Sequence, residues 1–176
     1  MHLSDAREAE KYAHTNSLFY RIAESFMPGP ITVILPKRDI IPLSVTGGLD
    51  TVALRVPSNV IARRLIELSG LPIAAPSANI SGKPSPTKAS HVIHDLDGRV
   101  DMIIDGGDCD IGLESTIVRI DGEDALTLCR PGAVTYEQLS ELCREVNIDK
   151  AVTGKLADGE RPIAPGMKYR HYAPSC

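Results

Sequence analysis

The sequence predicts an α/β fold, with a twisted mixed β-sheet flanked by helices around an open concave cavity. The chain has 176 residues, of which 43% are hydrophobic and 24% charged, a composition typical of one globular domain with a real core. It contains no Trp and only two Phe, so the core must be aliphatic, which suits strands packed under helices. Short β-branched runs alternate with helical periodicity, and a hairpin signal near residue 122 makes the sheet mixed rather than all parallel.

The first third of the chain predicts two helices and two strands. Ser4 is a candidate N-cap for a short helix, and Asn16 is a candidate N-cap for a second, amphipathic helix. The β-branched apolar runs at residues 31–35 and 51–56 predict two buried strands. The polar stretch between these two runs predicts a loop.

The middle of the chain predicts two further helices and two further strands. Ser58 is expected to cap a helix that ends at Gly70, in the C′ position. A strand is predicted at residues 73–75, a helix at 88–95 and another strand at 102–104. The apolar positions expected to face inward on the first of these helices are Val60, Ile61, Leu65, Ile66 and Leu68.

The last third predicts a hairpin, a helix and a tail. Strands at residues 115–120 and 125–129 are joined by an Asp-Gly-Glu turn, and a helix is predicted at 136–146. Beyond this point no apolar periodicity persists. We therefore predict one domain over residues 1–146 and a linker over 147–176.

Composition also limits the function. The net charge of −4 argues against a surface dedicated to non-specific nucleic-acid binding. Four cysteines without a C-x-x-C pair predict reduced thiols rather than disulfides or a structural zinc. With no apolar run of membrane-spanning length and a polar opening, we expect a soluble, cytoplasmic protein. Motifs for a P-loop, a dinucleotide site or a serine-hydrolase elbow are absent from the sequence.

The segment at residues 75–87 is the most informative candidate site. It follows a predicted strand and is rich in small hydroxyl, amide, Gly and Pro residues, and ligands of α/β sheets gather at such strand ends. The side chains of Ser77 and Asn79 are able to hydrogen-bond carboxylate, phosphate or ribose groups. The same composition also suits an ordinary turn in which Thr87 caps the next helix, and composition alone favours that turn.

Two arginines and a serine are further candidates. Arg55 lies in an otherwise apolar strand, where its guanidinium requires an anionic partner or a route to solvent. A structural ion pair and a carboxylate-binding role both remain open. Ser115 opens a strand and Arg130 closes the next, positions that suit either an anionic ligand or ordinary strand ends.

Two other signals are weaker. His91 and His94 are spaced i, i+3 on a predicted helix, but a third and fourth ligand at matching spacing are missing, so a helix face is favoured over a metal site. The run at residues 168–172 mixes cations with aromatic rings. It suits closure over a nucleotide, base stacking or a solvated basic linker.

Taken together and in order, these motifs resemble the YrdC-like domain of threonylcarbamoyl-AMP synthases, in the long form that continues into a linker. The resemblance covers nearly the whole chain. The motifs that carry it are Pro28-Gly29-Pro30, residues 51–55, residues 75–82, residues 113–117, Arg130-Pro131-Gly132 and the tail at 165–174.

The resemblance implies a nucleotidyltransferase that joins L-threonine, bicarbonate and ATP into threonylcarbamoyl-AMP and pyrophosphate, for the t6A modification of tRNA. Mg²⁺ is expected on the ATP phosphates, and tRNA or the downstream threonylcarbamoyl-transfer machinery is a further candidate partner. The implied threonine contacts are His2, Arg55, Ser77 and Ser115. The implied ATP contacts are Thr51, Asn79, Thr87, Arg130 and Tyr169. No side-chain nucleophile is expected, because catalysis would consist of positioning and charge neutralisation.

One departure from the family pattern bears on activity. The family's chain carries a Lys-x-Arg-Pro segment before an Asn-Pro-Leu strand that ends in His, and only that His is matched here, as His2. Because the basic segment would bind ATP phosphates, we expect weak or absent activity from these residues alone. The alternative is a non-catalytic RNA- or nucleotide-binding module of the same fold.

Overall fold

The computed structural model describes residues 1–153, which form a five-stranded mixed sheet with the strand order β2-β1-β3-β4-β5. The strands are β1 Ile31–Pro36, β2 Thr51–Leu54, β3 Thr116–Ile120, β4 Ala125–Arg130 and β5 Glu145–Ile148. The β1–β2 and β3–β4 pairs are antiparallel, whereas the β1–β3 and β4–β5 pairs are parallel. The mixed sheet and the hairpin are therefore confirmed.

The helices lie around this sheet. A 3₁₀ helix spans Ala6–Lys11, and the α-helices are α1 Ser17–Phe26, α2 Val60–Ser69, α3 Ala89–Leu96, α4 Tyr136–Ser140 and α5 Lys150–Thr153. No helix in residues 1–153 combines the length and the apolar character that crossing a bilayer requires.

The start of the chain extends the sheet beyond β2. The amide of Leu3 donates to the Arg55 carbonyl at 2.8 Å, and the Arg55 amide donates to the Met1 carbonyl at 3.0 Å. On its other side, His2 exchanges two backbone hydrogen bonds with Ile73, of 2.8 and 3.1 Å. His2 therefore lies between Arg55 and Ile73.

The main core fills one face of the sheet. Asn16 caps α1 as predicted, accepting from the Phe19 amide at 3.0 Å. The helix buries Leu18, Phe19 and Ile22 completely. These side chains pack against apolar residues that alternate along the strands: Ile31, Val33, Leu35, Val52, Leu54, Val118, Leu126 and Leu128.

The opposite face of the sheet has a much smaller apolar cluster, made of Ile34, Ile117 and Cys129. Side chains two residues apart on a strand point to the same face. Thr32 therefore shares this face with Ile34, and Ser115 shares it with Ile117. Polar groups near the ends of the central strands thus lie outside the main core.

Several local predictions were wrong at helix starts and ends. Asp5, rather than Ser4, caps the 3₁₀ helix, because its carboxylate accepts from the Arg7 amide while Ser4 donates to the Glu8 carboxylate. Asn59, rather than Ser58, caps α2.

Gly70 ends α2 in a left-handed conformation with φ of 66°, as expected. The inward face predicted for α2 was wrong, however. Of its five apolar positions only Ile66 is buried, and Val60 and Leu68 are 68% and 69% exposed. The hydrophobic periodicity is present, but no element within residues 1–153 covers that side of the helix.

The strands predicted at residues 73–75 and 102–104 do not form. Ile73 makes only the isolated bridge to His2, and Met102 is 77% exposed. Apolar β-branched runs favour an extended conformation, but a strand also needs a neighbouring edge to pair with.

The helix predicted over residues 136–146 was also wrong, because it divides into two elements. The cap at Thr135 starts α4, which ends at Ser140, and β5 then pairs with β4. The polar–apolar alternation of Glu145, Val146, Asn147 and Ile148 has the period of two that indicates a strand.

Candidate functional site

The candidate site lies where the ends of four neighbouring segments meet. Leu54 pairs with Val33, so Arg55 follows opposite Thr32. The hydroxyls of Thr32 and Ser115 are 2.9 Å apart, and Arg130 pairs with Ile117 at the end of β4. The register of the sheet thus brings Arg55, Ser115 and Arg130 to one end of it.

Arg55 is half-buried and has no counter-ion within residues 1–153. Its side chain makes no hydrogen bond or ion pair with any residue in 1–153, and its Nε is buried without a partner. Burial lowers the pKa of Arg55, and the nearby positive charge of Arg130 lowers it further. A buried guanidinium without a partner is unfavourable. The described residues therefore do not supply the structural ion pair, and the geometry favours an anionic ligand.

His2 adds a neutral imidazole to this cationic region. Burial lowers its pKa, and the positive charges of the chain's amino terminus and of Arg55 lower it further. Its Nδ1 lies 3.3 Å from the Ile73 carbonyl oxygen. Because a carbonyl only accepts, Nδ1 carries the proton and Nε2 is an acceptor. The site thus combines guanidinium donors with an imidazole acceptor.

Arg130 holds Ser115 in place. Its Nε and Nη2 donate to the Ser115 carbonyl at 3.1 and 2.9 Å, and Nη2 also donates to the Ser115 hydroxyl oxygen at 3.1 Å. Its Nη1 forms an ion pair of 2.7 Å with Glu114. Because Arg130 occupies one acceptor position of the hydroxyl oxygen, the Ser115 proton is directed elsewhere, toward Thr32 or a ligand.

A glycine allows the β3 and β4 ends to approach this closely. A Cβ on Gly132 would lie 2.5 Å from the Glu114 carbonyl oxygen and from the Thr116 amide nitrogen. Thr116 then holds the following turn, since its hydroxyl donates to the Val134 carbonyl at 2.8 Å and accepts from the Val134 amide at 3.0 Å. The sequence Arg-Pro-Gly is therefore explained by close backbone packing beside Ser115.

The loop at residues 77–87 is shaped by its own polar side chains. The Asn79 amide group donates to the carbonyls of Ile80 and Lys83 at 2.9 and 3.0 Å, and its Oδ1 is buried without a partner in the described residues. From α3, Asp95 pairs with Lys83 at 2.6 Å and accepts from the Ile80 amide at 3.4 Å. Ser77 is exposed.

A cavity of about 310 Å³ opens beside this loop. Thr87 lies on its wall, and the Thr87 carbonyl accepts from the Cys109 amide at 2.9 Å. Thr87 does not cap α3, since Lys88 occupies the N-cap position. The other lining side chains include Ala78, Val92, Leu96 and Ile103. This predominantly apolar slot suits a flat ring.

Other candidates lie apart from this cluster. Thr51 pairs with Pro36 at the far end of β2, about 13 Å along the strand from Arg55 at 3.3 Å per residue. Tyr169 lies outside the described residues. His91 accepts weakly from the Thr87 amide at 3.4 Å, and residues 1–153 contain no group of three or more potential metal ligands.

The sequence reasoning gave no role to Thr32, Ser85, Asp95 or Glu114. A single hydroxyl between Ile31 and Val33 was a usable signal for Thr32, because a polar residue inside an apolar strand faces away from the core. The partners of Ser85 and Glu114 are 29 and 16 residues away, so only the fold reveals them.

The mixed sheet flanked by helices defines an α/β protein, and its strand ends present an arginine that has no counter-ion within residues 1–153. Residues 1–132 match the family model Sua5–YciO–YrdC, described as telomere recombination. Residues 134–176 match the model described as the C-terminal domain of threonylcarbamoyl-AMP synthase. The chain belongs to the Sua5–YciO–YrdC family. The division at residue 146 remains a prediction.

Named relatives agree with this placement. The threonylcarbamoyl-AMP synthase of Pyrococcus abyssi is 54% identical over 154 residues, and that of Bacillus subtilis is 52% identical over 155 residues. Each alignment covers 88% of this chain and 44% of the relative. The chain thus spans less than half the length of these relatives.

Solved structures confirm the fold. The crystal structure of P. abyssi Sua5 complexed with L-threonine superimposes with a TM-score of 0.89 at 48% identity, covering 99% of this chain and 51% of that one. Escherichia coli YciO superimposes with a TM-score of 0.65 at 25% identity, covering 77% of this chain and 66% of that one.

Proposed function

We propose that this chain is the threonine- and nucleotide-binding part of an L-threonylcarbamoyl-AMP synthase. The observation that carries the proposal is Arg55, a half-buried guanidinium without a counter-ion in the described residues, at the same end of the sheet as the Ser115 hydroxyl. The relatives named as synthases and the L-threonine complex of P. abyssi Sua5 support the same reaction. They do not favour a non-catalytic binding module.

The threonine end of the site follows from charge and geometry. Arg55 pairs with the carboxylate of the amino acid, since a guanidinium recognises a carboxylate through two parallel hydrogen bonds. The Ser115 proton is directed toward a ligand acceptor, and Ser77 adds a hydroxyl from the loop. Nε2 of the neutral His2 accepts a hydrogen bond from the substrate.

The nucleotide end uses the loop and the cavity beside it. The cavity at Thr87 takes the base, Arg130 contributes positive charge, and Asn79, Thr51 and Tyr169 complete the proposed ATP contacts. ATP enters as its magnesium complex, with the metal on the phosphates, because Mg²⁺ prefers oxygen ligands and is commonly held by substrate phosphates.

The proposed reaction needs no protein nucleophile. The ammonium group of threonine first loses its proton, and the resulting amine and bicarbonate then form a carbamate with loss of water. A carbamate oxygen then attacks the α-phosphorus of ATP, and pyrophosphate leaves with the electrons of the broken bond. The protein holds the two substrates in line and neutralises the phosphate charge. The product serves t6A modification of tRNA in the cytoplasm.

Labelled bicarbonate provides the test. The protein is incubated with L-threonine, MgATP and ¹³C-bicarbonate, and threonylcarbamoyl-AMP is measured by mass spectrometry alongside calorimetric binding of L-threonine. We expect threonine binding together with weak formation of labelled product. Both are reduced in Arg55→Ala and retained in Glu67→Gln, which alters only an exposed ion pair on α2. Absence of both binding and product, or product unchanged in Arg55→Ala, contradicts the proposal.

A further inference from the structure

We infer that Glu114 is a positioning residue that joins the loop at residues 77–87 to the strand ends and orients Ser115 through Arg130. Its effect on turnover rests on the proposed function. Glu114 itself contacts no proposed substrate group and acts through its two neighbours.

The geometry places one carboxylate between two parts of the site. Oε1 of Glu114 accepts from the Ser85 hydroxyl at 2.9 Å, and Oε2 pairs with Nη1 of Arg130 at 2.7 Å. The side chains of Glu114 and Arg130 are only 20% and 15% exposed. A charge-assisted contact at this depth is screened less by water than one on the surface.

The orientation passes from Glu114 to the Ser115 hydroxyl. The 2.7 Å contact between Oε2 of Glu114 and Nη1 of Arg130 lacks hydrogen-bond geometry, so it is an ion pair that attracts the guanidinium as a whole. Nε and Nη2 of the same planar group donate to Ser115. Without Glu114, Arg130 keeps its charge and its hydrogen bonds to Ser115 but loses the ion pair that helps to hold the guanidinium in place. The Ser115 hydroxyl is then held less firmly in its direction.

Charge adds a second reason for a carboxylate at this position. The positive charge of Arg130 already lowers the pKa of Arg55, so the two guanidiniums repel each other. Glu114 balances part of the charge of Arg130, whereas Arg55 has no counter-ion in the described residues. The carboxylate therefore directs an anionic substrate to Arg55.

The loop at residues 77–87 also depends on the hydrogen bond between Ser85 and Glu114, because few apolar side chains are buried in this part of the chain. Between residues 57 and 114 only Pro57 and Ile66 are buried. The bond from Ser85 to Glu114 joins the loop directly to the start of β3. Polar anchoring therefore replaces packing in holding the loop against the sheet.

The test separates loop anchoring from catalysis. Hydrogen–deuterium exchange of peptides covering residues 77–87 is compared with turnover in the full chain for Glu114→Ala, Ser85→Ala, Ser85→Thr and the control Glu67→Ala. Glu67 forms a 2.6 Å ion pair with Arg64 on the exposed side of α2. Exchange in β1 and β3 peptides shows whether each variant is folded.

We expect Glu114→Ala and Ser85→Ala to exchange about fivefold faster in the loop, the factor that one hydrogen bond of ordinary net strength represents. Ser85→Thr, which keeps the hydroxyl, and Glu67→Ala leave the loop unchanged. For Glu114→Ala we also expect kcat to fall about 10- to 100-fold with KM for threonine changed by less than about threefold, as misplacement of a reacting group predicts.

Unchanged loop exchange in both Glu114→Ala and Ser85→Ala overturns the inference, as does a loss confined to KM. If the unmodified protein neither binds L-threonine nor makes product, the proposed function fails, and the exchange comparison still decides whether Glu114 anchors the loop. If Glu114→Ala does not fold, the Ser85→Ala and Ser85→Thr pair decides it.

Discussion

Two parts of this chain use different means to hold their shape. Residues 1–56 and 115–148 contain all five strands and nearly every buried side chain, with Phe19 and Leu18 fully enclosed over the sheet. Residues 57–114 carry two helices and the loop at 77–87, yet only Pro57 and Ile66 among them are buried. The first part is held by apolar packing, whereas the second is held mainly by polar contacts.

This difference indicates what fixes the positions of the candidate-site residues. Arg55, Ser115 and Arg130 lie on strand ends, so the hydrogen bonds of the sheet fix their positions. Ser77, Asn79 and Thr87 lie on the loop, which is held by Asp95 and Glu114. We therefore expect substitutions in the sheet to change stability, and substitutions at the loop anchors to change loop dynamics.

The largest contrast is expected between two large apolar side chains, one in each part. Phe19→Ala should lower the free energy of unfolding by about 3–5 kcal/mol, because it leaves a cavity in the main core. Leu68→Ala, at a position that is 69% exposed, should cost less than about 0.5 kcal/mol. Denaturant unfolding measures both, and equal costs would contradict the contrast.

A glycine pair tests the close packing at the end of the sheet. Gly132→Ala should cost about 1–3 kcal/mol, because its Cβ would overlap the Glu114 carbonyl and the Thr116 amide. Gly122→Ala is the matched control, since a Cβ there meets nothing within 4 Å. Thermal unfolding should separate the two variants. A Gly132→Ala protein as stable as Gly122→Ala would show that the turn has room to move.

The smallest effect is expected at the loop anchor on α3. Asp95→Asn removes the ion pair with Lys83 and should speed amide exchange at residues 80–83 without lowering exchange protection in the sheet. Asp97→Asn, at the exposed C-cap position of α3, is the control. Faster exchange in the sheet peptides would instead assign Asp95 a role in global stability.

The pH dependence of this anchor has a defined sign. The hydrogen bond from Lys83 holds the pKa of Asp95 below its ordinary value of 3.8. The stabilisation is therefore present above pH 3.8 and is lost as the pH falls through the lowered pKa. The amide exchange rate of the loop in the unmodified protein should become equal to that in Asp95→Asn only below pH 3.8.

The sequence predicted the strands of the sheet better than it predicted residues 57–114, which lie between β2 and β3. β1, β2 and the β3–β4 hairpin follow from β-branched runs and a Gly-containing turn, because these patterns act locally. The strands expected at residues 73–75 and 102–104 failed because strand formation depends on a partner edge, which no local pattern specifies. The inward face of α2 failed for the same reason.

The sequence singled out Arg55 as a site residue, but it did not predict the contacts among the residues around it. A charged residue between Leu54 and Val56 is conspicuous in the sequence, and the structure then shows that residues 1–153 supply no ion-pair partner for its guanidinium. The contacts of Arg130 with Glu114 and Ser115 arise from strand register, including the irregularity at Ile117 and Val118. No spacing rule in the sequence encodes them.

The central claim is that Arg55 binds the carboxylate of L-threonine. Calorimetric titration with L-threonine and with L-threoninamide, which lacks the carboxylate, tests it directly in the unmodified protein and in Arg55→Ala. We predict that the unmodified protein prefers L-threonine by about 10- to 100-fold, the range expected for a hydrogen-bonded charge, and that Arg55→Ala abolishes the preference. Equal affinities in the unmodified protein, or a preference that survives Arg55→Ala, would contradict the claim.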